Sequence, residues 1–78
     1  MEILTFGIAF EIIGERRLNY QKDQTLSCAD LKIQLIADYP GLSSISSIKL
    51  AVDGEYVDDD FLINPQSEVA IIPPVSGG

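Results

Sequence analysis

Seventy-eight residues suffice for one small domain, close to the size below which a single core needs disulfides or metals to hold it. A hydrophobic content of 46% supplies that core and argues against disorder, one cysteine excludes an internal disulfide, and the absence of histidine removes the usual transition-metal ligand and general base. The formal charge of −7 argues against nucleic acid and anionic membranes as partners and suits a basic protein surface.

The apolar opening from Met1 to Ile13 does not read as a targeting segment. It has no basic leader, carries Glu2 and Glu11, and is too short to span a bilayer, so a cytoplasmic location is expected. Ile3 to Ile8 reads as a first strand, apolar on both faces and therefore placed inside a sheet. Ala9 to Gly14 reads as a short helical turn closed by the glycine, and Arg17 to Gln21 alternates as a second strand paired back on the first.

The clearest local signal follows. Ser27 is a good helix N-cap, Asp30 sits near the positive helix end, and Leu26 is placed to staple onto Leu31. Cys28, Leu31, Leu35 and Tyr39 recur at three- and four-residue steps with Ile36 on their flank, which predicts an amphipathic helix ending before Pro40-Gly41, with Ile33 on its exposed side. Cys28 has two readings: a thiol of lowered pKa at a helix start, or a small apolar core residue. The core reading is preferred.

Leu42 to Ser47 reads as a serine-rich connection, and Ile48 to Val52 as a strand. Asp53-Gly54 is a hairpin turn, with Tyr56-Val57 beginning the return. Asp58-Asp59-Asp60 lacks the glycine and spaced ligands of a calcium loop and is read as a solvated loop, with contact to a basic partner as the alternative. Phe61 and Leu62 are expected to pack into the core, Asn64 to Ser67 to turn the chain, and Glu68 to Ile72 to form the last strand.

One helix in so short a chain covers one sheet face only, which gives a two-layer α+β roll. Right-handed crossover places the last strand beside the first and parallel to it. Val69 and Ile71 then face the helix, while Ala70 and Ile72 lie on the open face, where apolar side chains suggest a docking surface.

Past Ile72 the sequence reads Pro73-Pro74-Val75-Ser76-Gly77-Gly78. Proline ends the sheet and favours a stiff extended exit, and the two glycines let a narrow channel close around their backbone. Fully extended, the segment from Pro73 reaches at most about 20 Å. The expected organisation is a domain over residues 1–72 and an extended tail over 73–78, with the α-carboxylate of Gly78 as its reactive group.

These features resemble the β-grasp sulfur carriers, and most closely the small-subunit family of molybdopterin synthases. The resemblance runs along the whole chain. It is carried by Glu68-Val-Ala-Ile-Ile-Pro-Pro-Val-Ser-Gly-Gly78, by the Ala51-Val52-Asp53-Gly54 hairpin, and by Phe6 to Gly14, where Phe10 stands at the family's usual arginine. The resemblance implies a ubiquitin-like β-grasp roll with a mixed four- to five-stranded sheet. It also implies an enzyme only in the sense of a subunit, without catalytic side chains of its own.

An adenylating enzyme of the ubiquitin-activating type would use ATP to join Gly78 to AMP, and a sulfur donor protein would convert it to a thiocarboxylate. The large synthase subunit would receive the tail, with Pro73, Pro74 and Val75 as its stem and Ser76 and Gly77 in the channel. Sulfur would then pass to a pyranopterin precursor. Phe6, Tyr56 and Ile72 would form the apolar docking patch, no metal or cofactor would be bound, and the assembly would be a heterotetramer. Three other readings stand beside this one: a sulfur carrier for thiamine, cysteine or tRNA thiolation; a ubiquitin-like modifier joined to lysines through Gly78; and a β-grasp interaction domain with an incidental Gly-Gly tail.

Overall fold

The computed structural model describes residues 1–20, 24–45 and 48–73. Strand β1 (Glu2–Thr5) is followed by helix α1 (Gly7–Ile13) and strand β2 (Arg17–Asn19). A two-residue strand β3 (Leu26–Ser27) leads into the main helix α2 (Cys28–Asp38) and a 3₁₀ turn over Pro40–Ser44. Strands β4 (Lys49–Val52), β5 (Glu55–Tyr56), β6 (Leu62–Ile63) and β7 (Glu68–Ile72) complete the chain.

The main sheet has five strands in the order β2-β1-β7-β4-β5. The chain's last strand sits at its centre, parallel to β1 and antiparallel to β4. The expected parallel pairing is thus present, with Ile3 opposite Val69 and Thr5 opposite Ile71. β3 and β6 form a separate two-stranded ribbon.

The core is built from the side of the sheet that faces α2. Ile3, Leu18, Leu50, Val52, Val69 and Ile71 are buried from the strands, and Cys28, Leu31 and Leu35 from the helix. The helical period read in the sequence therefore marks the buried stripe, and Ile33 at 66% exposure lies off it.

Three amides at the start of α2 find acceptors. The Asp30 N–H donates to Ser27 Oγ at 3.1 Å, Cys28 N–H to the Phe61 carbonyl at 2.9 Å, and Ala29 N–H to the Asp59 carbonyl at 2.9 Å. The aspartate-rich loop thus caps the helix through its backbone, answering the need of orphan N–H groups at a helix start.

Four expectations are corrected. The first strand ends at Thr5 rather than Ile8, because Gly7 takes φ +55° and breaks the extended run into α1. Phe61 and Leu62 do not enter the core: they are 44% and 65% exposed, and Ile63 is buried in their place. Leu62 pairs with Ser27 across the β3–β6 ribbon, which turns it outward while Ile63, opposite Leu26, points in. The serine-rich connection read from Leu42 to Ser47 instead opens within a 3₁₀ turn over Pro40–Ser44 that buries Leu42 completely. Val57 lies just past the assigned return strand of Glu55 and Tyr56, although its N–H still donates back to the Leu50 carbonyl at 3.2 Å.

The Asp53-Gly54 turn is of the expected hairpin kind, with φ +50° and +90° at its two residues. Asp53 also ties it to β7: its N–H donates to the Glu68 carbonyl at 2.8 Å and its Oδ1 accepts from the Glu68 N–H at 3.0 Å. Among the described residues no helix is long and apolar enough to cross a membrane.

The division of α2 into a buried and an open side yields a paired test. Leu35→Ala should cost about 2–5 kcal/mol of folding free energy by leaving a cavity. Ile33→Ala should stay within about 0.5 kcal/mol of the parent. Urea unfolding of the two variants checks both.

Candidate functional site

The face of the sheet turned away from α2 can be assembled from strand register alone, because directly opposed residues share a face. Leu4 lies opposite Arg17 on one side and Ala70 on the other; Ala70 lies opposite Ala51, and Ala51 opposite Tyr56. This row reads Arg17-Leu4-Ala70-Ala51-Tyr56 across all five strands. The next row toward the end of β7 holds Ile72, with Lys49 opposite it.

Phe6 keeps extended backbone angles, φ −140° and ψ 155°, so the alternation of β1 carries its side chain to the face of Leu4, beside Ile72. The open face is therefore apolar along its middle and toward the tail exit. Arg17 at its margin is closed off by Glu2, 3.0 Å away.

The expected patch residues come together on this face. Phe6 is 48% exposed and Tyr56 68% exposed, so neither belongs to the core, and Ile72 is half-buried between them. Leu4, Ala51 and Lys49 join them without having been singled out for the site in the sequence. The alternation of β1 and β4 was visible there, but which residues stand opposite one another follows only from the pairing with β7.

Pro73 continues directly from β7 and leaves next to Gly7: a Cβ placed on Gly7 would fall 3.5 Å from the Pro73 Cγ. Pro73 thus departs beside the Phe6–Gly7 segment. Pro74, Val75, Ser76, Gly77 and Gly78 lie outside the described residues.

Beside the face, at the β4–β5 margin, opens a cleft of about 350 Å³ lined by Lys32, Ile48, Lys49, Tyr56, Val57, Asp58 and Asp59. Lys32 Nζ pairs with Asp59 Oδ1 at 2.8 Å. Asp58, Asp59 and Asp60 are exposed, in keeping with a solvated loop. Among the described residues no group of three or more histidine, cysteine, aspartate or glutamate side chains is arranged to hold a metal ion.

Cys28 is fully buried and its thiol pKa is raised, chiefly by burial, with Asp59 and Asp58 adding to the shift and Lys32 opposing it. Burial and the raised pKa both oppose the reactive-thiol alternative and favour the core reading. Tyr20 is also pushed up, by partial burial and by the bond its hydroxyl donates to Asp38 Oδ2 at 2.6 Å.

An open sheet crossed on one side by a helix, with the last strand central and parallel to the first, is the ubiquitin-like β-grasp. Solved structures agree: SAMP1 from Haloferax volcanii superposes with a TM-score of 0.81 at 26% identity, over 99% of this chain and 97% of that one. The small archaeal modifier protein 1 of Methanosarcina acetivorans gives 0.79 at 23% identity, over 99% and 94%.

Residues 3–78 match the ThiS family, and the chain belongs to it. Among curated relatives, the molybdopterin synthase sulfur carrier subunit of Dictyostelium discoideum is 40% identical over 99% of this chain and 94% of its own. That of Caenorhabditis briggsae is 36% identical over 100% and 96%, and that of Homo sapiens 34% identical over 100% and 93%.

The raised thiol has a consequence for stability. A proton held more tightly in the folded state stabilises fully below the ordinary thiol pKa of about 8.5, and this contribution is lost as pH climbs toward the raised value. Folding stability should therefore fall as pH rises above the ordinary thiol pKa, and the fall should be shallower in Cys28→Ala. Native protein at neutral pH should react with a thiol reagent only on unfolding. Denaturation midpoints across pH and the kinetics of thiol labelling check these outcomes.

Proposed function

We propose that this chain is the sulfur carrier subunit of a molybdopterin synthase, acting in molybdenum cofactor biosynthesis as a substrate-like subunit rather than by its own side chains. The observation that carries the reading is the full-length similarity to curated sulfur carrier subunits at up to 40% identity. The geometry supports it: the apolar open face and the departure of Pro73 lie side by side, so a single partner can cover the face and receive the tail.

In this reading the domain spans residues 1–72 and the tail 73–78. The reacting group is the carboxylate of Gly78. An adenylating enzyme of the ubiquitin-activating type consumes ATP to form the acyl adenylate and pyrophosphate. A sulfur nucleophile delivered by a donor protein then displaces AMP and leaves a thiocarboxylate. In the large synthase subunit the sulfur passes to the pyranopterin precursor, and water restores the carboxylate oxygen.

Phe6, Tyr56 and Ile72 supply the apolar contact, Pro73, Pro74 and Val75 a stiff stem, and Ser76 and Gly77 a backbone slim enough for a channel. Such chemistry needs no resident cofactor on this chain. The subunit works in the cytoplasm, within a heterotetramer built on a large-subunit dimer, and binds neither nucleic acid nor membrane.

A second reading is favoured by the 26% identity to SAMP1 from Haloferax volcanii and by the fold shared with a small archaeal modifier protein. Here Gly78 is joined to lysines of other proteins. Enrichment under denaturing conditions separates the readings, since only the modifier yields isopeptide-linked species.

The activation step is tested by intact mass. Incubation with the adenylating enzyme, ATP and sulfur donor should replace one oxygen by one sulfur at Gly78, and removal of Gly77 and Gly78 should abolish the gain. A chain that stays unchanged with an enzyme active on its own substrate would contradict the proposal. One residue appended after Gly78 should also prevent the gain, because the added carboxylate no longer reaches the adenylating site.

A further inference from the structure

Carrying the Thr5–Ile71 register one residue further through the extended Phe6, the row of open-face side chains nearest the tail is Phe6, Ile72 and Lys49. A lysine ending an apolar row matters once that row is covered, because its ammonium must then keep its water or meet a counter-charge. Among the described residues the ion pairs are Arg17–Glu2 and Lys32–Asp59. The other open-face cation, Arg17, is thus neutralised by Glu2, whereas Lys49 has no ion-pair partner among the described residues. Asp58 lines the same cleft without pairing to Lys49, and Asp59 is taken by Lys32.

The charge background narrows the occupant further. With five lysines and arginines against twelve aspartates and glutamates, the surface as a whole attracts a basic partner and repels an acidic one. Lys49 is the place on the docking face where a partner carboxylate finds attraction instead. A second copy of the chain is disfavoured, since two bodies of charge −7 repel each other.

We propose that Lys49 is a specificity-determining residue of the docking face, and that the partner surface covering Phe6 and Ile72 sets an aspartate or glutamate carboxylate against it. The inference rests on the docking reading of the open face. It adds that the contact there is polar and directional at one end. Its partner is basic overall, to suit the acidic domain, and carries a local carboxylate where the apolar row stops. Tyr56, which borders both face and cleft, keeps the apolar cover continuous up to Lys49. Pairing beside a desolvated apolar contact favours one partner over others that cover the same row without the carboxylate.

Calorimetric titration of the full chain with the large subunit of molybdopterin synthase, at low salt and at about 0.5 M salt, tests the proposal. Lys49→Glu should weaken binding about tenfold or more at low salt, and the difference should shrink at high salt. Lys49→Met keeps the apolar stem and should weaken binding only about threefold at low salt, with Lys49→Arg close to the parent. Lys49 is exposed, so thermal melts of the three variants should match the parent.

Lys49→Glu binding as well as the parent at low salt would overturn the inference. Ile72→Asp separates the two levels: if it abolishes binding while Lys49→Glu does not weaken it, the face docks but Lys49 has no counter-charge. If Ile72→Asp binds normally, the docking reading itself fails. Dimerisation of the free chain that Lys49→Glu abolishes would assign Lys49 to self-association and also overturn the inference.

Discussion

Parallel strands cannot be joined by a hairpin, so the pairing of β1 with β7 obliges the chain to leave the sheet and return across it. Most of the architecture follows from that obligation. The crossing element is α2, and its buried stripe of Cys28, Leu31 and Leu35 covers one face of the sheet. The five strands close around β7, which contributes Val69 and Ile71 to the core. Because β7 is both central and the last strand among the described residues, Pro73 leaves from the middle of the sheet rather than from a margin.

The same geometry leaves the second face bare. α2 lies across one side, and Leu4, Ala70, Ala51 and Tyr56 form a row that no element among the described residues covers, with Phe6 and Ile72 at the tail end. Small side chains at positions 51 and 70 keep the centre of that face shallow, while the aromatic rings stand at its edges. A partner that settles on this surface is brought next to Pro73 without further rearrangement of the domain. In the proposed chemistry the domain is thus a handle and a guide, and the reacting atom belongs to the main chain at Gly78.

Much of this was legible because it rests on local chemistry. Ser27 as N-cap, the Asp53-Gly54 turn and the Glu68–Ile72 strand each carry a signal within a few residues, and each stands where it was expected. The parallel pairing of first and last strands followed from handedness. What escaped depends on tertiary partners. Leu62 is as apolar as Ile63, and only the antiparallel β3–β6 register decides that Ile63 goes in and Leu62 out. Leu42 gives no periodic signal in a serine-rich stretch, yet the 3₁₀ turn drives it into the core. Gly7 ended the first strand early, although the apolar run continued past it. At the candidate site, Ile72 was assigned to the open face by alternation alone, while Lys49 came to light only through its pairing with Ile72.

In the proposed reaction sulfur leaves Gly78 for a pterin while the open face is docked, and a single-turnover transfer tests that most directly. Protein carrying a labelled sulfur in a Gly78 thiocarboxylate would be mixed with the large synthase subunit and pterin precursor, with no adenylating enzyme present. Label should leave the carrier and appear in the dithiolene product only when the large subunit is present. Label that stays on the carrier, with a large subunit active toward a known sulfur carrier subunit, would contradict the proposed reaction.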